Sequence, residues 1–200
     1  RSTLFPYTTL FRSLAESGYS APMNPETITI KESGMAFGPY PSARCFHIEK
    51  SPLYTDIRQE VKMAEFLLLR TEGDRPAMLW MVEAKSSSPQ PKNEPDFSQF
   101  IMDVREKWVN ALSLTLASRL GRHRQAEAKL PGPFKTLDLS QFDVRFVLVI
   151  NGHRKDWLPP IQAALQKSLR PLVRTWNFSP TSVVVLNDEL ALKHHPLSRT

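Results

Sequence analysis

The sequence contains a single cysteine, Cys45, among its 200 residues. One thiol excludes an intramolecular disulfide, which agrees with a reducing compartment. We therefore interpret Cys45 as a small buried hydrophobic residue. The sequence has only seven glycines, and they form no phosphate-binding glycine loop. That class of nucleotide-binding site is not indicated.

Long apolar stretches are also lacking. No segment approaches the roughly 18 consecutive apolar residues that a membrane-spanning helix needs. Nothing after Met23 resembles a secretory signal peptide. We expect a cytoplasmic protein with no membrane partner. Hydrophobic content of 41% without internal repeats is typical of one globular domain at this chain length.

The N-terminal segment does not read as part of that domain. The chain begins without Met, and residues 1–13 (RSTLFPYTTLFRS) resemble the translation of a short sequencing adapter. The first plausible start is Met23. We therefore expect residues 1–22 to be an artefactual or disordered segment and residues 23–200 to form a single domain.

Positive charge exceeds negative charge. The formal net charge is +6, and omitting residues 1–22 removes two arginines and one glutamate, which leaves +5. A basic balance favours nucleic acid or another polyanion as partner. The basic residues are scattered along the chain, so the charge does not locate a binding surface. Homo-oligomerisation stays open.

Hydrophobic periodicity predicts the order of elements. Two predicted strands, 64–69 and 77–84, flank a polar turn at 71–76 and are apolar on both faces, which is typical of the middle of a sheet. The other predicted strands are 26–33, 144–150 and 181–186, with 43–49 as a further strand or a lead-in, and 34–41 is a predicted loop. Predicted helices are 52–60, 96–120 and 156–173, the last ended or kinked by Pro171. This order predicts an α/β fold with a mixed central β-sheet flanked by helices.

The triplet Glu83-Ala84-Lys85 ends the strongly apolar run LWMV. Side chains two apart in a strand share a face, so Glu83 and Lys85 point the same way. Buried charges are costly unless they pair or bind an ion. The hairpin can also bring Glu65 level with Glu83. Two close carboxylates would accept a hard divalent cation such as Mg²⁺.

This arrangement resembles the PD-(D/E)XK, or restriction-endonuclease-like, nuclease superfamily. Its signature is an acidic residue on one strand, then Glu-x-Lys on the next. Here the matching residues are Glu65, which stands where the family more often has Asp, and Glu83-Ala84-Lys85 in VEAKSSSP. In its order of elements, the resemblance extends from the helix near Pro52 to the strand at Val144.

The resemblance implies a Mg²⁺-dependent nuclease, with Mn²⁺ as an alternative ion, in a bacterial restriction, repair or defence setting. Glu65, Glu83 and the carbonyl of Ala84 would hold the metal. Lys85 would orient the attacking water and stabilise charge, and Glu49 could add another acidic group. DNA is favoured over RNA as substrate. We therefore expect Glu65, Glu83 and Lys85 to be the catalytic residues.

Two alternatives remain open. One is a catalytically inactive nuclease-fold module that binds nucleic acid or a protein partner, and the other is an unrelated α/β protein with a structural Glu-Lys pair. Other candidates are interpreted as structural: residues 151–154 as a turn and residues 86–88 as part of a loop. The five histidines, at 47, 123, 153, 194 and 195, have no partner at metal-ligand spacing in the sequence.

Overall fold

The computed structural model describes residues 26–71, 77–123 and 129–194. The proposed artefactual segment 1–22, most of the predicted turn at 71–76 and His195 lie outside these ranges.

A five-stranded mixed sheet forms the centre of the protein. Its strands lie in the order β3-β4-β5-β6-β7, with β3, β4 and β5 antiparallel and β5, β6 and β7 parallel. A separate antiparallel hairpin consists of β1 and β2. The strands are β1 Thr27–Glu32, β2 Met35–Pro41, β3 Cys45–Phe46, β4 Phe66–Arg70, β5 Met78–Lys85, β6 Asp143–Ile150 and β7 Val183–Asn187.

Two long helices cover one face of this sheet. The helices are α1 Pro52–Thr55, α2 Asp96–Arg119, α3 Gly132–Lys135, α4 Leu158–Thr175 and α5 Asp188–His194. The apolar stripes of α2 and α4 join the larger core cluster, where Trp108 lies 5.6 Å from Phe146 between ring centres. The predicted mixed sheet flanked by helices is confirmed. In the described ranges, every helix is too short or too polar to cross a membrane.

The opposite face is covered by the β1–β2 hairpin and by α5. Phe37 and Tyr40 of β2 pack on Phe66 of β4, with ring centres 5.4 and 6.1 Å apart. Ala191 of α5 belongs to the same second core cluster. Strands β4 and β5 are apolar on both faces because both faces are covered.

Two local predictions were wrong. Residues 35–41 of the predicted loop form strand β2, because Phe37 and Tyr40 bury their rings against the sheet. Gly38 adopts a φ of +114°, which permits the irregular register of the hairpin. The helix predicted at 52–60 ends at Thr55. Of the two effects predicted for Pro171, an end or a kink, the end is excluded, because α4 continues to Thr175. Proline has no N–H group to donate to the carbonyl four residues earlier in the helix. The Pro171 ring is exposed, so water can reach that carbonyl instead.

The turn of the hairpin docks on the carboxyl ends of β5 and β6. Ser33 Oγ donates a hydrogen bond to the Ala84 carbonyl at 3.0 Å, and Asn151 Nδ2 donates to the Ser33 carbonyl at 3.0 Å. A Cβ at Gly34 would lie 2.8 Å from Asn151 Nδ2, so this close approach needs glycine. The docked turn brings the end of β1 to the edge of the sheet where β5 ends.

Candidate functional site

The three predicted catalytic side chains lie on the same face of the sheet. In β5, Glu83 and Lys85 continue the alternate positions of Leu79 and Met81, whose side chains pack with α2 and α4. Phe66 pairs with Val82, so the next pair of the antiparallel ladder is Glu65 opposite Glu83. The Glu65 amide donates to the Val82 carbonyl at 3.1 Å, which holds Glu65 at the end of β4.

A lysine from α2 joins the two carboxylates. Lys107 Nζ lies 2.8 Å from Glu83 Oε1 and 3.7 Å from Glu65 Oε1. Lys85 Nζ contacts the same Glu83 oxygen at 2.9 Å. The structure therefore brings Glu65, Glu83 and Lys85 together, with Lys107 between the acidic groups.

Lys107 was missed in the sequence analysis, although a signal was present. Positions 100, 104, 107, 111 and 114 follow the three- and four-residue spacing of a buried helix face. Four of these residues are apolar and the fifth is Lys107. A lysine on an inward-facing position indicates a buried anionic partner, since an unpaired ammonium would be costly there.

Each carboxylate has one oxygen that no lysine, amide or hydroxyl donor of the described residues contacts. These atoms are Glu65 Oε2 and Glu83 Oε2, both buried. Glu83 is 0% exposed and Glu65 is 7% exposed. A buried carboxylate oxygen without a partner is energetically costly, and a cation would satisfy it. All-oxygen donors of this kind fit Mg²⁺ or Mn²⁺.

The carbonyl of Ala84 is the third metal ligand that the resemblance implies. It accepts the hydrogen bond from Ser33 Oγ. A carbonyl oxygen has two lone pairs, so one remains available for an ion. Ser33 thus fixes the position of this backbone group without using its full capacity.

Burial and neighbouring charges shift the proton equilibria of the cluster. Burial raises the pKa of Glu65 to about 8, and a hydrogen bond with the Glu49 carboxyl group and the charges of Glu83 and Glu49 act in the same direction. Burial also raises the pKa of Glu83, against the opposing effect of Lys107 and Lys85. Burial would lower the pKa of Lys107, but Glu83, Glu65 and Glu49 together raise it above its ordinary value. Lys107 therefore remains charged while Glu65 exchanges its proton near neutral pH.

The raised pKa of Glu65 predicts a pH-dependent stability. The folded state holds this proton more tightly than the unfolded chain, so the contribution is full below about pH 4.5 and is lost as pH rises through about 8. Within that window the free energy of unfolding should fall by up to about 1.4 kcal/mol per pH unit.

The substitution Glu65→Gln should remove this slope. Between pH 6 and pH 8, the free energy of unfolding should fall by about 2 kcal/mol less in E65Q than in the wild type. Urea unfolding at both pH values measures this difference. Glu60→Gln, at an exposed position, serves as the matched control. Equal slopes in the wild type and E65Q would contradict a raised pKa for Glu65.

A second group of possible ligands shares Glu65. Glu32, His47, Glu49 and Glu65 each offer one ligand atom, and these atoms lie within 4.8 Å of one another. Glu32 ends strand β1 and reaches this group because the hairpin turn docks on β5. The Glu49 amide donates to the Glu65 carbonyl at 3.4 Å, which fixes that segment beside β4.

In the sequence, His47 has no partner at metal-ligand spacing. The structure brings it beside acidic residues that are distant in sequence, with Nε2 3.4 Å from Glu32 Oε1. Burial, together with Lys50, lowers the pKa of His47. The neutral imidazole has a free lone pair, which is the form that binds metals. Lys50 pairs with Glu32 and offsets part of the negative charge.

Comparisons with protein-family models, with curated proteins and with solved structures gave no match.

Proposed function

We propose that the protein hydrolyses phosphodiester bonds of nucleic acid, DNA in preference to RNA, with Mg²⁺ or Mn²⁺ as cofactor. The observation that supports this proposal best is the convergence of two buried carboxylates and two lysines at the end of β5. Glu65 and Glu83 each retain a buried oxygen that no lysine of the cluster contacts, and Lys85 reaches toward solvent. The same residue types at the same positions carry the resemblance to PD-(D/E)XK nucleases.

The residues of the cluster would have separate roles in metal binding and in catalysis. Glu65, Glu83 and the Ala84 carbonyl would hold the ion, which when bound would stabilise negative charge on the phosphate and lower the pKa of water. The Lys85 side chain is 29% exposed, and its ammonium group contacts Glu83. Its remaining donors would orient the attacking water and neutralise the developing charge.

Lys107 acts through Glu83, so it is a positioning residue. Its side chain is only 15% exposed, and it contacts both carboxylates. This contact favours the ionised form of Glu83 against the effect of burial and holds its Oε1 atom in place. The net charge of +6 favours a polyanionic substrate, which is consistent with nucleic acid.

The full chain should therefore cleave plasmid or single-stranded DNA when Mg²⁺ or Mn²⁺ is present, and EDTA should abolish the cleavage. Agarose and denaturing gels measure the products. A heat-denatured sample of the same preparation controls for contaminating nucleases that survive heating. Cleavage that persists in EDTA would contradict the proposed site.

One observation favours a second candidate, a binding module without catalysis. Lys107 already lies between the carboxylates and neutralises part of the charge that would attract a metal ion. Binding of DNA with no cleavage under any metal condition would support this candidate. Binding is measured by fluorescence anisotropy of a labelled oligonucleotide with and without EDTA.

A further inference from the structure

A pocket opens beside the carboxyl ends of β5 and β6. Its volume is about 260 Å³, and its walls come from the loop after β5 and from the start of α4. Pro89, Gln90 and Pro91 form one wall, and His153, Trp157 and Pro160 form the other. The volume lies just below the range of about 300–1,000 Å³ for drug-sized ligands, so a single planar ring system suits it.

The pocket is tied to the strand end that carries Lys85. Lys85 pairs with Ile150 in the sheet, and the Asn151 amide donates to the Lys85 carbonyl at 2.9 Å. Three residues beyond each strand end, Ser88 Oγ lies 3.1 Å from His153 Nε2. One side of the pocket therefore starts only a few residues from the proposed catalytic lysine.

Hydrogen bonds hold the loop after β6 in place. The buried Asn187 side chain donates to the His153 carbonyl at 2.8 Å, and Asp188 accepts from the Gly152 amide at 2.9 Å. Asn187 is the last residue of β7, and Asp188 is the first residue of α5. The aromatic wall is thus fixed by the sheet before any ligand arrives, which lowers the entropic cost of binding.

Trp157 gives the pocket its chemical character. Trp157 is 37% exposed, which is high for a large hydrophobic residue. The His153 ring meets it edge-on at 5.3 Å between ring centres, and the Arg154 guanidinium lies 5.3 Å from the centre of its ring. Burial lowers the pKa of His153, which favours the uncharged form of its ring. Aromatic rings combined with a nearby arginine are the usual means of stacking an unpaired base.

We propose that this pocket binds one unpaired nucleobase of a single-stranded segment, on a substrate whose backbone passes Lys85. The base would stack on Trp157, and Gln90 and Asp156 would offer hydrogen bonds to its polar edge. Arg154 and Lys92 would attract the adjacent phosphates. The inference rests on the proposed function for its choice of nucleic acid as ligand, but base binding needs no catalysis.

Binding of a labelled poly-thymidine oligonucleotide in EDTA tests the pocket separately from cleavage. Trp157→Ala should weaken the affinity by about tenfold or more, since stacking on one aromatic side chain contributes about 1–3 kcal/mol per base. Trp157→Phe keeps an aromatic face and should recover part of that loss. Fluorescence anisotropy measures the affinity, and circular dichroism checks that each variant is folded.

Trp176→Ala is the matched control. Trp176 is also exposed, at 46%, and follows the other end of the 18-residue helix α4, about 27 Å from Trp157 by helix geometry. Its substitution should change the affinity by less than about twofold. Equal losses in W157A and W176A, an unchanged affinity in W157A, or no binding by the wild type would overturn the base pocket. Cleavage of plasmid by W157A at the wild-type rate, together with unchanged oligonucleotide affinity, would overturn the pocket and leave the proposed nuclease function standing.

Discussion

Replacing Lys85 with Met should reduce metal-dependent DNA cleavage by about 100-fold or more, because removing one preorganised donor to a developing negative charge commonly costs that much. Lys85 is the lysine of the cluster that reaches solvent, at 29% exposure of its side chain. Glu83 keeps its contact with Lys107 in this variant, so the fold should remain intact. Initial cleavage rates measure the loss, and thermal unfolding confirms the fold.

Lys62→Met is the control for that experiment. Lys62 pairs with Asp103 and Glu106 on the exposed side of α2, and its loss removes the same positive charge. The control variant should retain its cleavage rate within about twofold, because exposed ion pairs contribute little. A K85M protein that cleaves as fast as K62M would remove Lys85 from the mechanism and leave the Glu-Lys pair as a structural feature.

Replacing Lys107 with Met should destabilise the protein by up to about 3–5 kcal/mol, the range for removing one partner of a buried ion pair. Glu83 is completely buried and would retain only Lys85, and Glu65 would lose its ammonium neighbour. Urea unfolding at pH 8 without divalent metal measures the loss. K62M again supplies the control, with an expected cost below about 1 kcal/mol.

A double-mutant cycle separates the two carboxylates. In a Glu65→Gln background, the cost of K107M should be smaller, because only Glu83 then depends on the lysine. Millimolar Mg²⁺ should raise the stability of K107M more than that of the wild type, since the ion can replace the lost positive charge. An unfolding midpoint of K107M equal to that of K62M would show that Lys107 does not compensate the buried carboxylates.

The arrangement of β4 and β5 was predictable from the sequence because it follows from local rules. Side-chain alternation places Glu83 and Lys85 on one face, and two apolar runs around a polar turn set the hairpin. The pairing of Phe66 with Val82 agrees with the expected position of Glu65 opposite Glu83. These inferences need only residues that are close along the chain.

The remaining parts of the site depend on contacts between distant segments. Glu32 and His47 lie close to Glu65 because the β1–β2 hairpin docks on the sheet. Strand β2 of that hairpin contains glycine and proline, so the sequence pattern predicted a loop there. Lys107 comes from a helix that crosses back over the sheet. Periodicity identifies the inward face of that helix but not the residues opposite it. The positions of Glu32, His47 and Lys107 in the site therefore depend on tertiary packing, which the local sequence pattern does not predict.

The docked hairpin turn also bears on the order of events in folding. The hydrogen bond from Asn151 to Ser33 joins residues 118 positions apart, whereas the bond from Ser33 to Ala84 spans 51. Contacts across such long separations form late, because the chain must lose much conformational freedom before they are made. We therefore expect the turn that follows Glu32 to be fully docked only after both β5 and β6 have formed, because one of its two hydrogen bonds comes from each strand end.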